Sequence, residues 1–146
     1  MSIIVRKATR ADIPQILALY KELNPLDPPI DKSRACAVFE KAGKSGVTYF
    51  VAADDTCVKG TCYIAIIPNM SRQCSPVGFV ENVVVAADCR RQGVGRGLIS
   101  AAVDFAKERG CYKVVLQSGV KRKEAHRFYE SLGFDGDSKR AFEIRF

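Results

Sequence analysis

One stretch of eight residues combines arginines and glycines in a pattern suited to binding an anion. It consists of Arg90, Arg91, Gln92, Gly93, Val94, Gly95, Arg96 and Gly97. The stretch follows an apolar run, Gly78–Val85, and opens an amphipathic segment, Gly95–Arg109. Glycine lets the backbone turn tightly and approach a ligand closely, and the first N–H groups of a helix favour an anion. The pattern therefore predicts a phosphate-binding site at the start of a helix.

Two common nucleotide-binding patterns do not fit this stretch. A P-loop needs a Gly-Lys-Ser/Thr ending, which is missing, and the dinucleotide fingerprint needs Gly-x-Gly-x-x-Gly, whereas Gly93, Gly95 and Gly97 alternate. The net charge of +7 is compatible with nucleic-acid binding or with a polyanionic small ligand such as coenzyme A. Nucleic-acid binding is the weaker hypothesis, because the aromatic residues fall at core positions rather than among exposed lysines and arginines.

The periodicity of apolar residues predicts an α/β protein with a mixed sheet. Strands are expected at Ile3–Lys7, Thr48–Ala53, Thr61–Ile67, Gly78–Val85, Lys113–Gln117 and Ala141–Phe146. Helices are expected to start at Thr9, with Asp12 in a variant capping box, to run from a cap at Asp31 to about Ala42, and to span Gly95–Arg109 and Glu124–Leu132. The segment Met70–Pro76 is predicted to form a polar loop.

Length and composition predict a single domain over residues 1–146. Apolar residues make up 47% and charged residues 27%, as in ordinary globular proteins. No apolar run is long enough to span a membrane, and the N-terminus lacks the apolar core of a signal peptide. Six cysteines without Cys-x-x-Cys spacing and one histidine predict no metal site. The cysteines are expected to be reduced thiols of a cytoplasmic protein.

Two motifs give the chain a family resemblance. Arg90-x-x-Gly93-x-Gly95, placed between an apolar strand and a helix, resembles the pyrophosphate-binding motif of the GNAT (GCN5-related) N-acetyltransferases. The downstream run from Ala125 through Phe128 and Tyr129 to Gly133-Phe134 resembles the Ala-x-x-Phe-Tyr-x-x-x-Gly-Phe segment of the same family. The resemblance implies a mixed, mostly antiparallel twisted sheet with a central splayed pair of parallel strands, flanked by about four helices.

The resemblance also implies a cosubstrate and its contacts. Acetyl-CoA would donate an acetyl group directly to a primary amine, without a metal. The backbone of Val83, Val84 and Val85 would pair with the pantetheine arm, and the amides of Arg91 to Arg96 would surround the pyrophosphate. Arg122 stands where the family often has asparagine, and it could contact the cofactor phosphates, reach an acidic substrate or lie in a solvated loop.

Glu81 and Tyr129 are the candidate catalytic residues. Glu81 is an ionisable residue in an apolar strand, which is costly unless the residue is paired or used, and it could serve as general base or as a structural or substrate-binding carboxylate. Tyr129 would lie near the sulfur in the family arrangement and could protonate the leaving thiolate, although a core tyrosine is the alternative. Strand alternation places Asn82 on the face opposite Glu81 as a structural residue, and His126 is expected at the surface or in a cap.

The acceptor is the least defined partner. In the family it binds between the first two helices and the loop before the central strand, here Asn24–Pro29 and Met70–Val77. Short stretches resemble glucosamine-phosphate and aminoalkylphosphonate acetyltransferases, which favours a small primary amine, with or without a phosphate or phosphonate group. A protein N-terminus, a lysine side chain and a non-catalytic CoA-binding role stay open. The alternating apolar residues of Phe142–Phe146 could form a homodimer interface or complete the sheet.

Overall fold

A computed structural model describes residues 2–146, which divide into two compact units. The first unit runs to Val115 and the second spans Leu116–Phe146. The strands are β1 (Ile4–Lys7), β2 (Val47–Ala53), β3 (Val58–Ile67), β4 (Val77–Val85) and β5 (Lys113–Leu116). The helices are α1 (Ile13–Leu23), α2 (Lys32–Lys44), α3 (Ser71–Cys74), α4 (Val94–Glu108) and α5 (Lys123–Ser131). Short 3₁₀ turns at Arg10–Asp12 and Ala87–Cys89 precede α1 and α4.

The five strands form one sheet in the order β1-β2-β3-β4-β5. The first three neighbouring pairs are antiparallel, and β4 and β5 form the parallel pair of this mixed sheet. The α/β fold with a mixed, mostly antiparallel sheet is therefore confirmed. The described residues also form four helices of nine residues or more and the single turn α3.

The sheet of the first unit is covered on both faces because its strands are apolar on both sides. Helices α1 and α2 pack on one face, where Phe39 of α2 lies 5.5 Å from Tyr49 between ring centroids. Helix α4 packs on the other face, where Phe105 lies edge-on to Phe50 at 5.5 Å. The two faces are called the α1 face and the α4 face below.

The start of α4 lies very close to the sheet because β3 carries a glycine there. A Cβ on Gly60 would meet Leu98 and Val94 side-chain atoms and the Val84 carbonyl oxygen, all at 3.0 Å. Leu98 and Val94 are buried. Gly60 therefore fixes the first turns of α4 against the middle of the sheet.

A partly buried ion pair joins β1 to the start of α1. The Arg6 guanidinium donates to both carboxylate oxygens of Asp12, at 2.8 and 2.9 Å, and the Thr9 backbone N–H donates to the same carboxylate at 2.7 Å. Asp12 is 5% exposed, and these hydrogen bonds lower its pKa from 3.8 to about 2, with Arg6 the main cause. The hydrogen bond from the Thr9 N–H to the Asp12 carboxylate is one of the two contacts that make up the predicted capping box.

Two predicted elements are wrong. The segment 141–146 forms no strand within the described residues, and Phe142, Ile144 and Phe146 are exposed. Alternating apolar residues form a strand only where a neighbouring strand completes the hydrogen bonds. The expected loop Met70–Pro76 contains α3, a left-handed turn in which Arg72, Gln73 and Cys74 have φ of 53°, 57° and 61°.

Candidate active site

The segment predicted to bind phosphate lies at the beginning of α4, the longest helix described. Gly93 caps the helix in the left-handed region with φ of 81°, and the Gly97 N–H donates to the Gly93 carbonyl at 3.0 Å as the first helical hydrogen bond. The N–H groups of Val94 and Gly95 precede that bond, so the helix itself offers them no acceptor. A Cβ on Gly93 would meet nothing within 4 Å, which leaves open space beside this turn.

The charges around this turn favour an anion. Arg90, Arg91 and Arg96 are all exposed, so their guanidinium groups are accessible from solvent. Gln92 is also exposed and donates to the Asp88 carbonyl at 3.0 Å, which holds the preceding 3₁₀ turn in place. Amides at the positive end of a 15-residue helix, beside three arginines, have the chemistry needed to hold a pyrophosphate.

Strand β4 leads directly into this turn, and its second half extends beyond its parallel neighbour. The Tyr112 N–H donates to the Pro76 carbonyl at 3.1 Å, so β5 starts beside the beginning of β4. β5 has four residues and β4 has nine. The end of β4, Val83–Val85, therefore lies past the end of β5. Its backbone fits the predicted role of pairing with an extended pantetheine arm, while Arg90 Nε donates weakly to the Val85 carbonyl at 3.4 Å.

Glu81 lies half-buried on the α1 face of β4. It is the cross-strand partner of Tyr63, which in turn is the partner of Tyr49, so the three side chains share one face. The rings of Tyr49 and Tyr63 lie 5.3 Å apart. Burial is the largest cause of the raised pKa of Tyr63, and the nearby Glu81 charge adds to it. Glu81 is therefore the acidic residue beside two tyrosines on the α1 face.

Asn82 departs from the expected alternation because β4 contains a bulge. Between the pairs Tyr63–Glu81 and Thr61–Val84, β3 has one residue and β4 has two, and Asn82 has φ of 52°. The extra residue shifts the alternation, so Asn82 lies near Tyr20 of α1 instead of on the α4 face. The prediction that Asn82 lies opposite Glu81 is wrong, because strand alternation presumes a regular ladder.

A cavity of about 500 Å³ lies on the α1 face. Its walls are the second half of α1, the loop after it and the bulge of β4, with lining residues that include Tyr20, Asn24, Asp27, Ile30 and Asn82. The loop Asn24–Pro29, expected to contact the acceptor, therefore forms part of a cavity. The other expected loop contributes Met70, Cys74 and Pro76 to a second cavity of about 470 Å³.

The remaining predicted site residues lie in the second unit. Tyr129 is half-buried on α5, with ring centroids 5.2 Å from Phe128 and 6.1 Å from Phe134. Arg122 is exposed at the cap position of α5. His126 Nε2 lies 2.7 Å from the Gly119 carbonyl oxygen and closes the turn before the helix, as expected for a capping histidine. The described residues contain no group of three or more His, Cys, Asp and Glu side chains arranged for a metal ion.

The model of the acetyltransferase (GNAT) family matches residues 13–134. The chain belongs to the GNAT acetyltransferase family. It is an acetyl-CoA-dependent N-acetyltransferase, with acetyl-CoA as cosubstrate. The turn at Gly93 and the end of β4 are thus the parts of this GNAT protein whose geometry fits coenzyme A.

Individual relatives agree with the family match. Glucosamine 6-phosphate N-acetyltransferase 1 of Oryza sativa subsp. japonica is 32% identical over 135 residues, which cover 89% of this chain and 79% of that enzyme. Aminoglycoside N(6')-acetyltransferase type 1 of Stenotrophomonas maltophilia is 27% identical over 134 residues, covering 90% of this chain and 85% of that enzyme. A solved structure of a proposed acetyltransferase from Agrobacterium tumefaciens strain C58 superposes with a TM-score of 0.93 at 39% identity, covering 99% of this chain and 100% of that one.

No helix among the described residues is long and apolar enough to cross a membrane. Nothing in the sequence marks Tyr20, Tyr63 or the bulge of β4 as part of a site. Tyr20 falls at a helical core position, so its phenol oxygen gave no separate signal. Tyr63 becomes notable only when the register places it beside Glu81.

Proposed function

We propose that this protein transfers the acetyl group of acetyl-CoA directly to the primary amine of a small molecule. The observation that carries the proposal is the arrangement of β4. Its end passes beyond β5 and leads into the cationic turn at Gly93, while Glu81 lies on the α1 face beside Tyr63 and the bulge opens onto a cavity. One strand therefore joins a place for the cosubstrate to a place for the acceptor.

The proposed chemistry assigns one proton transfer to each candidate catalytic residue. Bound acetyl-CoA supplies an acetyl group activated as a thioester. A carbon–nitrogen bond forms to the neutral amine, and the carbon–sulfur bond breaks. Glu81, directly or through a water molecule, accepts the proton that leaves the nitrogen, and Tyr129 donates a proton to the departing sulfur. The backbone of Val83–Val85 and the turn Arg90–Gly97 hold the cosubstrate.

The named relatives support a small hydroxylated or phosphorylated amine as the acceptor. Two of them are named for glucosamine 6-phosphate and for aminoglycosides, and both matches cover most of this chain. A cavity of about 500 Å³ is also of the size that holds a small molecule. Arg122, exposed in the second unit, is proposed to contact a phosphate of the cosubstrate.

The test is a transfer assay that follows release of free CoA with acetyl-CoA and a panel of amines. The panel contains glucosamine, glucosamine 6-phosphate, an aminoglycoside, an aminoalkylphosphonate, a peptide with a free N-terminus and a lysine peptide. Turnover with one of the first four supports the proposal. Turnover with the peptides alone would replace it with protein acetylation. No turnover, together with salt-sensitive binding of nucleic acid, would replace the proposal with the hypothesis that the protein binds nucleic acid.

Glu81→Gln tests the general base. We expect kcat/KM to fall about 100-fold or more, with loss of the rise in rate that deprotonation of the base produces at increasing pH. Glu108→Gln is the matched control, since Glu108 is exposed at the end of α4. An unchanged pH profile in Glu81→Gln would assign this carboxylate to structure or substrate binding.

We also infer that the chain folds as a single domain, that the protein is cytoplasmic and that it forms a homodimer. The family match runs across the boundary at Val115, and all six cysteines are free thiols. Exposed apolar residues at 142, 144 and 146 are candidates for the contact between protomers. A single cooperative unfolding transition would support the single domain, and two transitions would contradict it. A dimeric mass in sedimentation would support the homodimer, and a monomeric mass would contradict it.

A further inference from the structure

Tyr63 of β3 lies directly opposite the candidate base. Its cross-strand partner in β4 is Glu81, and its partner in β2 is Tyr49. Residues opposite each other in an antiparallel pair have Cβ atoms about 4.5–5.5 Å apart, and their side chains stand roughly perpendicular to the sheet. The Tyr63 ring and the Glu81 carboxylate therefore lie side by side on the α1 face.

The Tyr63 hydroxyl is fixed in place and open to water. Its ring packs on Tyr49 at 5.3 Å between centroids, and Tyr49 packs in turn on Phe39 of α2 at 5.5 Å. Tyr63 is half-buried, and its oxygen is not one of the buried, unpaired side-chain oxygens of residues 2–146, so solvent reaches it. Because a tyrosine side chain is longer than a glutamate side chain, the hydroxyl extends further from the sheet than the Glu81 carboxylate does.

The Tyr63 hydroxyl keeps its proton beside this carboxylate. Burial is the largest cause of the raised pKa of Tyr63, and Glu81 and Tyr49 add to it. The nearby phenol of Tyr20 on α1 also has a raised pKa, mainly through burial, with contributions from Tyr49 and Tyr63. A protonated phenol donates a hydrogen bond and a carboxylate accepts one. A water molecule between them can accept from the first and donate to the second, which are two of the polar contacts that an ordered water needs.

We propose that Tyr63 is a positioning residue whose hydroxyl holds a water molecule between Glu81 and the acceptor amine, and that this water carries the proton released during acetyl transfer. The inference rests on the proposed acetyl transfer with Glu81 as base. Once the carbon–nitrogen bond has formed, the nitrogen passes its proton to the water oxygen, and the water passes one of its own protons to the Glu81 carboxylate. Tyr63 donates a hydrogen bond to the water oxygen and keeps its own proton, so it orients the water without entering the proton balance.

The experiment is a double-mutant cycle of Tyr63→Phe and Glu81→Gln, measured with the amine that the wild type acetylates best. Tyr63→Phe removes the hydroxyl group and keeps the ring. Tyr49→Phe is the matched control, since Tyr49 is a half-buried tyrosine of the same face whose cross-strand partner is Tyr63 rather than Glu81. We expect Tyr63→Phe to lower kcat about tenfold and to change KM for acetyl-CoA less than about twofold, whereas Tyr49→Phe should change kcat less than about threefold.

The cycle separates positioning from packing. If Tyr63 acts through Glu81, adding Tyr63→Phe to Glu81→Gln should lower kcat by less than about twofold further, because the base that the water serves is already absent. Losses that multiply in the double variant would overturn the inference and leave the proposed function standing. So would an unchanged kcat in Tyr63→Phe, or an equal loss in Tyr49→Phe. A wild type that acetylates no amine would overturn the proposed function and this inference together.

An alkaline titration of the phenols checks the pairing without turnover. The ultraviolet absorbance lost on Tyr63→Phe, measured in the wild type and again in Glu81→Gln, gives the ionisation of Tyr63 in each background. Because the Glu81 charge contributes to the raised pKa of Tyr63, this ionisation should occur at lower pH in Glu81→Gln, and Glu108→Gln, at an exposed position, should leave it unchanged. An ionisation of Tyr63 that does not respond to Glu81→Gln would show that the two groups do not face each other and would overturn the inference.

Discussion

The ion pair between Arg6 and Asp12 allows a stability prediction whose size follows from the structure. Asp12→Asn keeps the shape of the side chain and removes its charge. Because the native pKa is about 2 and the ordinary value is 3.8, the folded state gains at most about 2.4 kcal/mol from the ionised carboxylate. The Arg6 side chain is 40% exposed, so solvent screens part of this, and we expect a loss of about 1–2 kcal/mol at pH 7.

The sign of the pH dependence follows from the lowered pKa. The contribution of Asp12 is fully present above about pH 4 and is lost as the pH falls through about 2. Urea unfolding of wild type and Asp12→Asn between pH 7 and pH 3 should show a difference in unfolding free energy that narrows as the pH falls. Arg6→Gln and the double variant complete a cycle that measures the coupling between the two side chains.

A control is available in another ion pair. Arg10 and Glu40 also form a salt bridge, but their side chains are 68% and 55% exposed. Glu40→Gln should therefore change the unfolding free energy by less than about 0.5 kcal/mol at every pH. A difference between wild type and Asp12→Asn that stays constant from pH 7 to pH 3 would refute the reasoning, because the carboxylate would then stabilise the protein independently of its charge.

Two further predictions concern the cosubstrate. Gly93→Val should weaken acetyl-CoA binding in calorimetry at least about tenfold, since a β-branched residue disfavours φ of 81° and fills the space beside the turn. The control Gly43→Ala in α2 should leave the affinity for acetyl-CoA unchanged. Equal affinities of Gly93→Val and the wild type would place the pyrophosphate elsewhere. Tyr129→Phe should lower kcat by about tenfold or more with little change in acetyl-CoA affinity, and the reverse pattern would identify Tyr129 as a binding residue only.

The sequence predicted the elements that carry strong local patterns. Helix α4 was expected at Gly95–Arg109 and spans Val94–Glu108. The prediction was close because the apolar stripe of the helix and the glycines at its start are local signals. The same holds for β4, whose apolar run marks a strand covered on both faces. The motif at Gly93 was recognisable for the same reason, since glycine spacing and helix start lie within a few residues.

The features that the sequence did not predict depend on distant partners. The bulge at Asn82 arises from the register with β3, and no residue type marks it along the chain. The sequence places Asp12 in a capping box, but the burial of Asp12 depends on its ion pair with Arg6 of β1. The residues Phe142 to Phe146 alternate as a strand does, yet alternation does not supply the neighbouring strand.

The bulge has a consequence for how the protein can change in evolution. It divides β4 into two halves whose alternation is offset, so Glu81 before it and Val84 after it both lie on the α1 face. Deletion of one residue between them would restore a regular strand in which Glu81 and Val84 stand two positions apart and still share the α1 face. The deletion would remove the left-handed position of Asn82 and would turn neither half of β4 over. The bulge therefore adds one residue to the strand while the side chains before and after it keep their faces.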